Sequence, residues 1–125
     1  QGASFVAQTF AGNVNHVVET IKEGIKHKGF SLINVLQPCV TFNKVNTYQY
    51  YLQHTYKLPD DYKKDNLEEA LKKALEMTTA EKFHLGILYQ TQRATFSDEL
   101  TQLAKGALIE KQRFVNFESL YSDFL

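Results

Sequence analysis

The chain has 125 residues, 43% hydrophobic and 13% aromatic, enough for one modest core and too apolar for a disordered segment. Its 14 Lys and Arg balance 14 Asp and Glu, so charge gives no reason to expect nucleic acid or an anionic membrane as the main partner. No apolar run approaches the ~18 residues of a membrane span, and the opening QGASFVAQTF lacks the basic start and apolar stretch of a signal peptide.

The sequence opens on Gln1, holds Met77 as its one methionine and enters an apolar segment at once, as the middle of a fold does. It therefore reads as a segment whose N-terminal half lies elsewhere. Residues 3–7 (Ala3, Phe5, Val6 and Ala7 among them) predict a short buried strand that Gly12-Asn13 breaks. Asn13 then caps a helix on which Val14, Val17, Val18, Ile21 and Ile25 recur at helical spacing. Glu19, Lys22, Glu23 and Lys26 fill its solvated face, and Gly29 is the expected stop. Residues 30–36, FSLINVL, are nearly continuous in apolar residues, as buried parallel strands are. Strand, helix and strand make a βαβ unit.

After Pro38 the texture changes. Residues 40–43 read as a loop, and 46–57 predict a short helix capped by Asn46 and rich in tyrosine. Leu58-Pro59-Asp60-Asp61 ends it with turn chemistry. Asn66 opens another helix, with Glu69 placed as in a capping box and Leu67, Ala70, Leu71, Ala74 and Leu75 as the apolar stripe. Residues 83–89, FHLGILY, predict a third strand, Ser97 caps a helix to about Lys105, and Phe114 to Leu125 suggest a last aromatic helix.

No dinucleotide-binding glycine motif, P-loop, nucleophile elbow or zincin motif is present. His16, His27, His54 and His84 do not pair at metal-binding spacings and read as surface or packing residues. The tyrosines around Tyr48, Tyr50, Tyr51 and Tyr56 lack the interleaved basic residues of a base-stacking platform and read as packing or interface contacts. Lys63-Lys64 and Lys72-Lys73 read as solvated faces. Cys39 is the one cysteine, which suits a reducing, cytoplasmic setting. On its own it reads as a small buried apolar side chain. Its position just past a parallel-type strand, where α/β sheets bind ligands, is the competing signal. Thr41 and Asn43 beside it read as turn-closing residues.

Taken together, residues 2–7, the following helix, His27-Lys28-Gly29-Phe30 and the string Pro38-Cys39-Val40-Thr41-Phe42-Asn43 with Asn46-Thr47-Tyr48 resemble the beta subunit of the 2-oxoacid:ferredoxin oxidoreductases. The match covers residues 2–51 and weakens after Leu58. The resemblance implies an enzyme that oxidatively decarboxylates pyruvate or 2-oxoglutarate to acyl-CoA. It implies thiamin diphosphate with Mg2+ and a [4Fe-4S] cluster held by four cysteines, of which Cys39 is one. Thr41 and Asn43 then become candidates to hydrogen-bond cluster sulfur. The other three cysteines and the Gly-Asp-Gly…Asn motif for thiamin diphosphate are absent, so the segment alone is expected to be inactive and to carry no cofactor.

The implied fold is α/β. Residues 1–45 form the βαβ end of a thiamin-diphosphate-binding doubly wound fold, and 46–125 form a mainly helical C-terminal extension with one short strand. The implied partners are the remainder of the beta subunit, an alpha subunit or alpha, gamma and delta subunits, ferredoxin, and coenzyme A as substrate. A standalone α/β module that binds a partner or self-associates through its sheet edge and the aromatic tail (Phe117, Tyr121, Phe124) is the competing expectation.

Overall fold

A computed structural model describes residues 2–111 and 116–122. Strand β1 (Phe5–Phe10) runs three residues past the expected end. It feeds helix α1 (Val14–Lys26), whose cap Asn13 accepts the His16 N–H. Gly29 follows at a φ of +130° and turns the chain into β2 (Ser31–Leu36). The next stretch corrects one expectation. Helix α2 covers only Tyr48–His54 and is capped by Thr47, while Thr55–Lys57 forms strand β3. These three residues are extended because β4 pairs with them, which periodicity alone does not reveal. Helix α3 (Leu67–Thr79) starts at Asn66, whose side chain accepts the N–H groups of Glu68 and Glu69. Strand β4 (Phe83–Gln90) matches the expected third strand, so the part after residue 46 contributes two strands rather than one.

The four strands form one mixed sheet in the order β2-β1-β4-β3. Strand β1 pairs with β2 in parallel, from Phe5 opposite Ser31 to Phe10 opposite Leu36, and with β4 antiparallel. The βαβ unit is therefore present, and β4 from the second part of the chain joins the same sheet. Strand β2 is not buried, contrary to its apolar sequence: it is an edge strand, with Leu32 50% and Val35 38% exposed.

Phe5, Ala7 and Thr9 face α1, where the Phe5 ring meets His27 and Thr9 Oγ1 lies 2.7 Å from His16 Nδ1. Gly24 lets α1 approach β2, since a Cβ there would lie 2.6 Å from Ile33 Cδ1. Val6, Gln8 and Phe10 face the other side. There Gln8 bridges the strands, accepting from Asn34 Nδ2 and donating to the His84 carbonyl, both at 2.8 Å. Helix α3 packs on β4 with Ala70 buried. Of the expected core stripe of α1, Val14, Val18, Ile21 and Ile25 stand exposed and Val17 is half-buried, while α1 buries Thr20 and Gly24.

Residues 96–125 form a second unit. In it, α4 (Phe96–Glu99) is followed by 3-10 turns at Thr101–Leu103 and Leu108–Glu110 and by α5 (Phe117–Ser122). The single helix expected from Ser97 to Lys105 is thus broken. Phe117 and Tyr121 of the aromatic tail lie on α5 and are exposed, while Phe114 and Phe124 lie outside the described residues.

Candidate functional site: the Cys39 loop

Because β1 and β2 are parallel, both end on the same side of the sheet, and Cys39 follows three residues after β2. Pro38 is buried and fixes the exit of the chain. Cys39 itself is exposed in this chain, where its sequence alone suggested a small buried side chain.

The loop that carries the thiol is closed by its own hydrogen bonds. The Asn43 N–H donates to the Cys39 carbonyl at 2.8 Å. Asn43 Oδ1 accepts the N–H groups of Val45 and Asn46, each at 2.9 Å, and Asn43 Nδ2 donates to Asn46 Oδ1. Lys44 Nζ donates to the Val40 carbonyl at 2.5 Å. Asn43 is therefore the residue that shapes this turn, with its backbone N–H and both side-chain polar atoms committed within the loop. Thr41 lies exposed in the same turn. After the loop, α2 packs on the end of β1: the Phe10 ring lies 5.8 Å from that of Tyr48 and 5.6 Å from that of Tyr51. Tyr50 stacks on His54 at 4.0 Å, and Tyr51 meets Phe83 edge-on. The tyrosines pack against one another and the sheet.

Two polar clusters stand apart from this loop. Lys73 is not simply solvated like its neighbour. Its Nζ donates to Glu76 Oε1 at 2.8 Å and lies over the Tyr56 ring, while Tyr56 Oη donates to Glu76 Oε2 at 2.5 Å. Hydrogen bonds from Lys73 and Tyr56 hold the Glu76 carboxyl below its ordinary range; burial and the Glu76 carboxylate push the Tyr56 phenol up. The i, i+3 spacing of Lys73 and Glu76 was the available signal. His84 is 1% exposed, and its Nδ1 has no hydrogen-bond partner among the described residues. Burial holds its pKa below the ordinary histidine value. The sequence hint was its place amid the apolar run of β4. His16 is held low in the same way, by burial and then by Lys57.

Among the described residues no group of three or more His, Cys, Asp or Glu side chains is placed to hold a metal ion. What Cys39 offers is one accessible thiol on a preorganised turn, which suits one corner of a thiolate-ligated iron–sulfur cluster. None of the described helices is long and apolar enough to cross a membrane.

The family described as the C-terminal region of the pyruvate ferredoxin oxidoreductase beta subunit matches residues 39–105, beginning at this cysteine. The beta subunit of a 2-oxoacid:ferredoxin oxidoreductase from Saccharolobus solfataricus is 38% identical over 100 residues, covering 73% of this chain and 33% of that protein. Subunit beta of 2-oxoacid:ferredoxin oxidoreductase 1 from Aeropyrum pernix is 36% identical over 111 residues, covering 81% and 35%. A solved 2-oxoglutarate:ferredoxin oxidoreductase from Magnetococcus marinus, with 2-oxoglutarate, coenzyme A and succinyl-CoA bound, superposes with a TM-score of 0.80 at 28% identity. That superposition covers 97% of this chain and 40% of the solved one. The chain thus spans about a third of the curated relatives it matches. It belongs to the 2-oxoacid:ferredoxin oxidoreductase beta subunits, whose C-terminal part it represents.

Proposed function

We propose that this chain is the C-terminal part of a beta subunit in a cytoplasmic enzyme that oxidatively decarboxylates a 2-oxo acid, pyruvate or 2-oxoglutarate, to acyl-CoA. Carbon dioxide leaves, coenzyme A takes the acyl group, and two electrons go to ferredoxin. Cys39 supplies one of the four thiolates of a [4Fe-4S] cluster, whose chemistry when bound is one-electron transfer. Supporting this is the placement of an exposed thiol on a turn locked by Asn43, at the end of a parallel strand pair and at the start of the family-matching stretch.

Within that reading, Pro38 and Asn43 support the turn that carries Cys39, and Thr41, exposed two residues on, is the candidate to offer a hydroxyl or N–H to cluster sulfur. Thiamin diphosphate and Mg2+ bind in the remainder of the subunit, because the Gly-Asp-Gly…Asn motif is not in this chain. Residues 1–45 close the doubly wound domain that holds them, and 46–125 form the C-terminal extension. Alpha, or alpha, gamma and delta, subunits complete the enzyme, and the segment alone is inactive.

Two exposed surfaces of the first unit fit this incompleteness. Val14, Val18, Ile21 and Ile25 form an uncovered stripe on α1. Among the described residues, strand β2 has no neighbour on its outer edge. The Phe30 and Leu36 carbonyls accept from β1 and the residue after it, so alternation turns the backbone groups of Ser31, Ile33 and Val35 outward. A further parallel strand of the same subunit belongs on that edge. A free-standing interaction module would bind through that sheet edge and the aromatic tail; a complete reading frame with no upstream cysteine pair would favour that alternative.

The deciding experiment is Cys39→Ser in the complete enzyme. The expected result is loss of the broad iron–sulfur absorbance and of the corresponding iron per beta subunit. Full iron content in the variant overturns the assignment.

A further inference from the structure

The Cys39 loop is closed by its own hydrogen bonds yet apolar on its outside. Phe42 is 89%, Val45 75% and Val40 55% exposed, all within six residues of the thiol. A turn held by four hydrogen bonds at Asn43 and one from Lys44 does not collapse to hide these side chains. Large apolar groups displayed on an ordered turn mark a surface that is covered in the assembled molecule.

Several occupants are conceivable, and the surroundings select among them. A ferredoxin docking transiently needs a charged or polar rim. Lys44 is the one charged side chain in the turn, and its Nζ is bound to the Val40 carbonyl. A second copy of the chain would place two Cys39 loops together, with at most two thiols where a cluster takes four. The rest of the subunit is different. Relatives extend well beyond the 33% and 35% of their length matched here, and with Cys39 the one cysteine in this sequence the other three thiolates of the proposed cluster come from outside it.

We infer that Phe42, flanked by Val40 and Val45, packs against the part of the beta subunit that carries the other cluster ligands and seals the iron–sulfur site at Cys39 from water. The inference rests on the cluster role proposed for Cys39 and adds a positioning and shielding residue to it. Solvent exposure is one of the properties that sets cluster potential. Reduction adds negative charge to an already anionic thiolate cluster, and water stabilises that charge better than a phenyl ring does. A phenylalanine seal therefore keeps the potential low, and it slows the approach of dissolved oxidants.

The test uses the complete enzyme, purified without oxygen, with Phe42→Ser, Phe42→Ala and Phe42→Leu beside the parent. Iron per subunit, reduction potential and the rate of absorbance loss in air are measured. The expected result is a more positive potential and several-fold faster bleaching for Phe42→Ser, an intermediate effect for Phe42→Ala, and values near the parent for Phe42→Leu. If Phe42→Ser loses its cluster during purification, the ordering of Ala against Leu decides. Equal bleaching rates and potentials across the series overturn the inference. Should that happen in an enzyme whose cluster still depends on Cys39, only the sealing role falls. If Cys39→Ser keeps its iron, the cluster reading itself falls.

Discussion

Asn43 closes the turn on Cys39: its N–H reaches the Cys39 carbonyl at 2.8 Å while its Oδ1 gathers the N–H groups of Val45 and Asn46. One side chain thereby satisfies two backbone donors in a loop that has no secondary structure to do so. Asn43→Ala leaves those donors to solvent and loosens the turn by roughly 1–2 kcal/mol. Asn43→Asp retains the accepting oxygen and should be much milder. The measurement is the rate at which a chelator strips iron from the complete enzyme. Faster release in Asn43→Ala than in Asn43→Asp is expected, and identical rates would remove Asn43 from the support of Cys39.

The edge of β2 gives a second prediction, independent of the cluster. In the complete enzyme the amides of Ser31, Ile33 and Val35 should resist hydrogen exchange as well as those of Leu32, Asn34 and Leu36, which pair with β1. Their protection should also not depend on protein concentration. Fast exchange confined to Ser31, Ile33 and Val35 would mean that the edge stays open. Protection that vanishes on dilution would mean that a second copy, rather than the same chain, covers it.

Much of this fold was legible because its signals are local. The apolar period of Val14 to Ile25 gave α1, Asn66 gave the start of α3, and the FHLGILY run gave β4. What was not legible depends on pairing or on absent neighbours. Thr55–Lys57 is a strand only because Phe83–Leu85 lie beside it. The stripe of α1 and the apolar run of β2 promise burial, yet Val14 is 67% and Ile25 78% exposed. On the proposed reading such patterns mark surfaces that the complete subunit covers, since this chain spans about a third of its relatives. At the site, the string from Pro38 to Asn43 marked Cys39, but only the geometry showed that Asn43 spends its polar atoms on the turn.

His84 makes a pH prediction. Burial depresses its pKa below 6.5, and the groups around it pull in opposite directions, Glu76 raising it and Lys73 lowering it. A histidine that resists protonation when folded leaves the unfolded chain with more bound protons in acid. Its contribution to stability is therefore complete above pH 6.5 and declines as pH falls toward the depressed value. The thermal midpoint of the subunit should drop between neutral pH and about pH 5.5. His84→Leu removes both the titration and the unpartnered Nδ1, so its midpoint should vary less with pH and not fall at neutrality. His16, held low in the same direction, leaves a residual slope. An undiminished pH dependence in His84→Leu would exclude His84 as its source.

The sharpest structural prediction concerns the turn that joins α1 to β2. Gly29 has a φ of +130°, a region that side chains rarely enter, and a Cβ there would fall onto Ser4 Oγ. Ser4 cannot easily move. It is 1% exposed, its Oγ lies 2.8 Å from His27 Nε2, its N–H reaches the Phe30 carbonyl at 3.1 Å, and its own carbonyl holds the Thr91 N–H at 2.8 Å. Gly29→Ala should therefore cost about 1–3 kcal/mol from the backbone alone. The clash with Ser4 adds to that cost and disturbs the contacts joining the start of β1 to β2 and to the end of β4. Adding Ser4→Ala removes the hydroxyl that the new methyl meets, so the double variant should be less destabilised than the two single costs added together. Denaturant titration of the four proteins measures this coupling. Simple additivity would assign the whole effect to the backbone angle, and a neutral Gly29→Ala would mean that the turn does not hold the conformation described.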